Sequence, residues 1–429
     1  MTPAYHRGVS TSRALIVIAV ASLLSALLLA WVSRAPAQLR NREVSAEAYD
    51  ATLGSEFDTT DVARHAAYRG PGYFYLLLSN LLSILVLVIL WRGPLGRVLD
   101  RFVGAPGGWV TRVLIAVAVV TLAMWLATLP LAFVRGYAMD SAWGLSTQDV
   151  GGWISDQLRG TLVGLVAAMV AAVAFYGTIR WQPRAWWLVG SVVFTLLTIA
   201  LTVLWPVLIA PIFNRFTPLE DSALRRRSLS LASEAGIEID EVLVADASRR
   251  TATENAYVAG LGATKRLVLY DTLVNKGDDD ATVFVVAHEL GHRTKRHIAQ
   301  QMLIAAGGLL IGFFLLRLLA GWRPVWEWAG ASGIEDPRAL PVVMLFALVV
   351  GLVALPVESS ISRHFEREAD RVALSLTEDP DTAVRTFRRL AFSNLADLRP
   401  HPFAVITLYS HPPIPERIES ALSQTAKSP

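Results

Sequence analysis

Apolar and polar positions do not mix evenly along this chain, and the lengths of the apolar runs decide its elements. A helix needs about 20 mainly apolar residues to cross a bilayer core about 30 Å thick. Runs of that kind lie at Ala14–Ser33, Tyr73–Trp91, Trp109–Val134, Gly160–Ile179, Trp186–Ile209, Met302–Leu319 and Leu340–Val357, which predicts seven spans. The first is bracketed by Arg13 and Arg34, and Ala35-Pro36-Ala37 resembles a signal cleavage site. A signal core is only about 7–15 residues long, so the longer run is read as a retained helix. Pro130 predicts a kink near the end of the third run, and Pro206 and Pro211 close the fifth. Trp181, Trp186, Trp187 and Trp205 near run ends suit the interfacial aromatic belt.

Between the runs, 38–72 and 135–159 read as polar connections, and a soluble stretch opens at Phe213. Thr217-Pro218-Leu219-Glu220 has the form of a capping box with proline at the first helical position, and predicts a helix ending at Gly236. Strands are expected at Glu241–Ala245, Asn255–Val258 and Arg266–Tyr270. A loop follows at Gly277–Asp280, with Asp280 as the cap of a helix from Ala281 to His297. No repeat at a fixed period is present.

Composition agrees with the pattern. The 429 residues are 53% hydrophobic and 17% charged, too apolar for an ordinary soluble enzyme. There is no cysteine, so disulfides, a thiol nucleophile and Cys-ligated metal are excluded, and any metal must sit on His and carboxylate. The net charge of +3 is spread along the chain and gives no argument for nucleic acid. Basic residues flank spans on both faces, so charge alone does not orient the chain.

The chemistry concentrates at His288-Glu289-Leu290-Gly291-His292. On a helix, His288 and His292 stand one turn apart and can hold one zinc ion. Glu289, about 100° round, reaches a water on the metal rather than the metal itself. The plain alternative is a surface helix with two solvated histidines. A catalytic zinc needs a third protein ligand from another helix. Ser362-Arg363-His364-Phe365-Glu366-Arg367-Glu368-Ala369-Asp370 offers one: Glu366 and Asp370 share a face, and Asp370 can fix the tautomer of a zinc-bound His. The alternative there is a solvated charged helix, and His364 is the rival ligand.

Four stretches in order resemble the type I CAAX prenyl proteases, integral-membrane zinc metallopeptidases. They are Asn255-Ala256-Tyr257 with Lys265-Arg266 to Leu273, His288 to His292 with His297, Ser362-Arg363 to Asp370, and Ser410-His411-Pro412-Pro413. The resemblance covers nearly the whole chain, and the Ala-, Arg- and Leu-rich composition suggests a bacterial member. It implies His288, His292 and Glu366 as ligands of one Zn2+ per chain, Glu289 as general base and Asp370 as a supporting or proton-handling carboxylate. Asn255 and Ala256 fall where the family has an edge strand that pairs with substrate. His411 resembles a histidine that stabilises the oxyanion, its alternative being a turn residue before Pro412. His297 is expected to be structural, and His6, His65 and His401 carry no role. Arg293 stands where the family often has an aromatic residue, which alters the rim of the site.

The expected fold is mainly α: a polytopic membrane protein with seven transmembrane helices around a chamber, plus a zincin-like metalloprotease domain with a small β-sheet. The expected division is residues 1–211 with five spans, 212–301 with the His288 helix, 302–357 with two spans, and 358–429 with the third ligand. The expected function is a membrane-embedded zinc metalloendopeptidase for CAAX-type or membrane-protein substrates. An inactive scaffold or a transporter with a structural zinc site is the alternative. Expected partners are a peptide or protein substrate and the lipid bilayer, with no nucleic acid and no obligate protein partner. The protein is expected to be multi-pass, in the cell membrane if bacterial, with its catalytic side cytoplasmic.

Overall fold

The computed structural model describes residues 10–40, 57–103, 108–239, 241–260 and 266–425. His6 and Lys265 lie outside them. Among the described residues, seven helices are long and apolar enough to span a membrane. They are built on α1 (Thr11–Val32), α2 (Thr59–Trp91), α4 (Trp109–Phe133), α5 (Val150–Trp181), α6 (Trp186–Leu204), α9 (His297–Ala320) and α11 (Leu340–Thr377). Short helices α3 (Pro94–Val103) and α10 (Arg323–Ala329) lie between spans, and α7 (Ala223–Glu234) and α8 (Asp279–Thr294) belong to the soluble stretch. The chain closes with α12 (Pro380–Ser393), α13 (Pro402–Leu408) and α14 (Ile414–Thr425).

The spans expose large apolar side chains such as Leu15, Leu162, Leu303 and Val353. So much exposed apolar area has no place in water and suits lipid. Helices satisfy their own backbone polar groups, so they can stand in that medium. Inside the bundle, Val86, Ala116, Val120, Leu131 and Tyr176 form part of one buried core. A second core, with Leu267, Leu269, Phe284, Val286, Leu290 and Phe387, belongs to the soluble part.

Several helices extend beyond their apolar runs. α2 begins at Thr59 rather than Tyr73, capped by Asp58, whose side chain accepts from Thr60 N. One face of its polar first half is buried, with Asp61, Arg64, His65 and Tyr68. His65 Nδ1 lies 2.6 Å from the Ala396 carbonyl, and Arg69 Nε donates to Leu395 O at 2.7 Å. This part of the helix braces the soluble part against the membrane part. The third span keeps Pro130 inside the helix and continues as a π-helical turn, Val134–Met139, to Ala142. α5 starts at Val150, capped by Asp149, so most of the expected connection 135–159 is helical.

The sheet has the order β1-β2-β4-β3, from β1 (Phe216–Pro218), β2 (Val242–Ala245), β3 (Ala256–Ala259) and β4 (Arg266–Tyr270). β2 and β4 are parallel and the other pairs antiparallel, leaving β3 on an edge. β1 corrects the capping-box reading. Thr217 pairs with Val244 in the ladder, Pro218 is tolerated because the strand is an edge, and Ser222 caps α7 instead. Gly236, at φ +68°, follows the end of α7 as expected.

Two further boundaries differ. Asp278, not Asp280, caps α8 by accepting from Ala281 N. Arg296 adopts the left-handed conformation (φ 57°), so α8 ends at Thr294 and His297 opens α9. α11 runs unbroken from the seventh span into the soluble part, through position 357.

Candidate active site

α8 buries Val283, Val286, Ala287 and Leu290, and this apolar stripe sets which way its histidines point. Gly291 lets α11 come close: a Cβ there would lie 2.9 Å from both Cα and the carbonyl oxygen of Ala369. That approach carries Glu366, one turn before Ala369, to the two imidazoles. His288 Nε2 and His292 Nε2 are 3.2 Å apart. Glu366 Oε2 lies 3.2 Å from His288 Nε2, and Oε1 lies 3.4 Å from His292 Nε2. Around a tetrahedral zinc with bonds of about 2.0–2.1 Å, neighbouring donors stand about 3.3 Å apart. Glu366 Oε2 is buried and faces the Nε2 atoms of His288 and His411, a position that suits a cation ligand. The donor set fits a zinc-sized ion.

Electrostatics point the same way. Burial disfavours a charge on His288, but hydrogen bonds with Asp370 and Glu366 outweigh it and raise its pKa to about 10. Burial, then the neighbouring His288, lowers His292 to about 4, which keeps it neutral. The carboxylates of Asp370 and Glu366 thus favour positive charge at His288. Burial raises Glu289 to about 7, with His288 pulling it back, so this carboxyl can exchange a proton near neutrality. Its Oε2 accepts from Val258 N of β3 at 3.3 Å.

Behind the donors, His288 Nδ1 lies 2.8 Å from Asp370 Oδ1. Arg417 of α14 grips that carboxylate with two hydrogen bonds, of 2.8 and 2.5 Å, and lies 4.3 Å from the centre of the Phe387 ring. His411 Nε2 is 3.3 Å from Glu366 Oε2, while Ser410 Oγ lies 2.9 Å from its Nδ1. Asn255 and Ala256 stand at the start of β3. The Asn255 carbonyl bonds inward to Tyr270 N, and its Oδ1 accepts from Ala256 N. A cavity of about 1080 Å³ joins these groups: His288, Glu289 and His411 line it with Asn255, and Tyr73 and Arg135 come from the spans.

The structure thus brings His288, Glu289, His292, Glu366, Asp370 and His411 together, with Asn255 and Ala256 on the same cavity. His364 is not among the three donors; it is exposed, its Nε2 3.7 Å from Glu368. His65 bonds a carbonyl and His401 caps α13. Arg293 bonds the carbonyls of Ala259 and Gly260 at the end of β3. Two groups were not foreseen. Arg417 has no local signal, because its partner is remote in sequence. Glu254 is buried between Arg389 (2.7 Å) and Lys276 (2.6 Å), and ties the start of β3 to α12.

Comparison with known proteins adds to this. Residues 218–425 match the sequence family described as peptidase family M48, and residues 38–215 match the CAAX prenyl protease N-terminal family of five membrane helices. The uncharacterized metalloprotease YhfN of Bacillus subtilis (strain 168) is 34% identical, over 71% of this chain and 72% of that one. CAAX prenyl protease 1 of Saccharomyces cerevisiae is 30% identical, over 68% of each. The crystal structure of S. mikatae Ste24p superposes with a TM-score of 0.75 at 24% identity, covering 95% of this chain and 98% of the other. That last likeness concerns the fold.

Proposed function

The chain belongs to peptidase family M48 and is a multi-pass membrane metalloprotease, and from that premise we propose that it is a zinc endopeptidase whose site is His288, His292, Glu366 and Glu289. One observation carries the reading: three donor atoms converge at zinc spacing, with the half-buried Glu289 carboxyl lining the same cavity. Membership of a hydrolase family weighs against the inactive scaffold and the transporter.

His288, His292 and Glu366 would hold one zinc ion. When bound, it lowers the pKa of a water toward neutrality and polarises the scissile carbonyl. Glu289 takes a proton from the attacking water and passes it to the leaving amine. Asp370, fixed by Arg417, orients the His288 ring. His411, whose Nδ1 pairs with the Ser410 hydroxyl, can present an Nε2 proton to the oxyanion. The peptide adds as a strand along β3, where Asn255 and Ala256 meet its backbone.

The substrate class we assign is CAAX-type termini or membrane-protein segments, from the relatives named CAAX prenyl protease and from a cavity that continues among the spans. The cytoplasmic assignment of the catalytic side rests on the family likeness. The metallopeptidase part is read as two pieces, 212–301 and 358–429, on either side of the last two spans.

The test is peptide cleavage by detergent-purified, zinc-loaded protein, read by mass spectrometry beside Glu289→Ala. Loss of the base should slow cleavage about 10²–10⁴-fold while zinc stays bound. Zinc-loaded wild type that cuts nothing across a broad peptide and prenyl-peptide set would refute the proposal, as would an undiminished Glu289→Ala.

A further inference from the structure

His288 and His292 turn the same nitrogen, Nε2, toward the donor cluster, yet they are held from behind by different chemistry. His288 rests on a carboxylate, Asp370. His292 rests on another imidazole: its Nδ1 lies 2.9 Å from Nδ1 of His297. His297 Nε2 in turn lies 3.2 Å from Glu368 Oε2 on α11. The His297 ring is 1% exposed and stacks on Phe365, with centroids 4.4 Å apart and planes 18° apart. Glu368 sits nearer solvent, with His364 at 3.7 Å and Arg371 at 3.9 Å.

This contact depends on the break between α8 and α9. Five residues along one continuous helix would place His297 about 140° round from His292. The left-handed Arg296 ends α8 and starts α9 in a new direction, which swings His297 back against His292. A β-branched or bulky residue would resist that conformation, whereas a long unbranched side chain tolerates it better.

The hydrogen bonds permit one consistent set of protons. A neutral imidazole has one N–H and one lone pair. If the Nε2 lone pair of His292 faces the cluster, its proton is on Nδ1. That N–H can donate only to an unprotonated Nδ1 on His297. The His297 proton is then on Nε2, from which it donates to Glu368. Each link fixes the tautomer of the next.

We propose that His297 and Glu368 form a positioning relay that locks His292 in the tautomer and ring orientation needed to ligate a metal ion, as Asp370 and Arg417 do for His288. The inference rests on the reading of His292 as a ligand. His297 is a positioning residue, because it reaches the cluster only through His292.

The experiment measures the zinc dissociation constant of the full-length protein in detergent, by competition with a chromophoric chelator, and records the visible spectrum of the cobalt(II)-loaded form. His297→Phe keeps a ring on Phe365 but removes the acceptor. It should weaken zinc binding about 10–100-fold and shift the cobalt spectrum. His297→Asn, which returns an oxygen near the position of Nδ1, should recover part of the loss. Glu368→Leu should weaken binding less than His297→Phe does. Wild-type affinity in His297→Phe, with His292→Ala unable to hold zinc, would overturn the relay and leave the ligand reading standing. Wild-type affinity in His292→Ala would remove the ligand reading and the relay with it. If His297→Phe does not fold, Glu368→Leu decides: unchanged affinity overturns the relay and weaker binding supports it.

Discussion

Gly291→Ala tests how closely α8 and α11 must approach. The added Cβ would meet Ala369 Cα and O at 2.9 Å and Val372 Cβ at 3.2 Å. Carbon atoms sit comfortably at about 3.5–4.0 Å, so the helices must part by about 0.6–1 Å. Two effects on stability oppose each other. Alanine gains about 1 kcal/mol over glycine in a helix interior. Overpacking costs about 1–3 kcal/mol. The net loss is therefore small, about 0–2 kcal/mol. Function should suffer far more, because Glu366 and Asp370 flank the contact and would move with α11. A catalytic constellation tolerates about 0.5 Å, and a displacement of about 1 Å can cost about 100-fold in rate. The assay is kcat/KM on a cleaved peptide, with zinc affinity and thermal unfolding measured on the same preparation. Gly308→Ala on α9, which meets nothing within 4 Å, is the control. Gly291→Ala with full activity and unchanged zinc affinity would refute the close-approach argument.

Arg417→Leu leaves the buried Asp370 carboxylate without its cation and should destabilise the protein by about 3–5 kcal/mol, seen as a lower unfolding midpoint in denaturant. A variant as stable as wild type would show that the pair is not buried as described. Glu289 must be ionised to accept a proton, and burial raises its pKa to about 7. A zinc ion beside it would pull that value back down, so the profile of kcat/KM should fall as pH drops through an acid limb below about 7. A profile flat down to about pH 5 would mean that this carboxyl keeps its ordinary value.

The sequence made legible whatever depends on local periodicity. All seven spans were readable, because a bilayer demands about 20 apolar residues in one run. So was the pairing of His288 with His292, which follows from helical geometry alone. Helix ends were harder. One face of the polar half of α2 is buried against the soluble part, and no local pattern distinguishes it from a solvated loop. β1 exists because Thr217 finds Val244 across the sheet, a pairing that outweighed a plausible capping box. Arg417 and Glu254 escaped notice for the same reason: a long-range ion pair leaves no spacing to read. The backbone turn at Arg296 was equally hidden, since arginine carries no preference for positive φ.

The division of the donor set along the chain bears on the order in which the protein is made. His288 and His292 precede α9, and Glu366 follows most of α11, so two spans must be synthesised and laid antiparallel between them. Chains emerge from the N-terminus first. A nascent chain with its first six spans in place therefore holds His288 and His292 but lacks Glu366. On the proposed ligand set the donors are complete only once the last span is in place, so cleavage would await the finished chain.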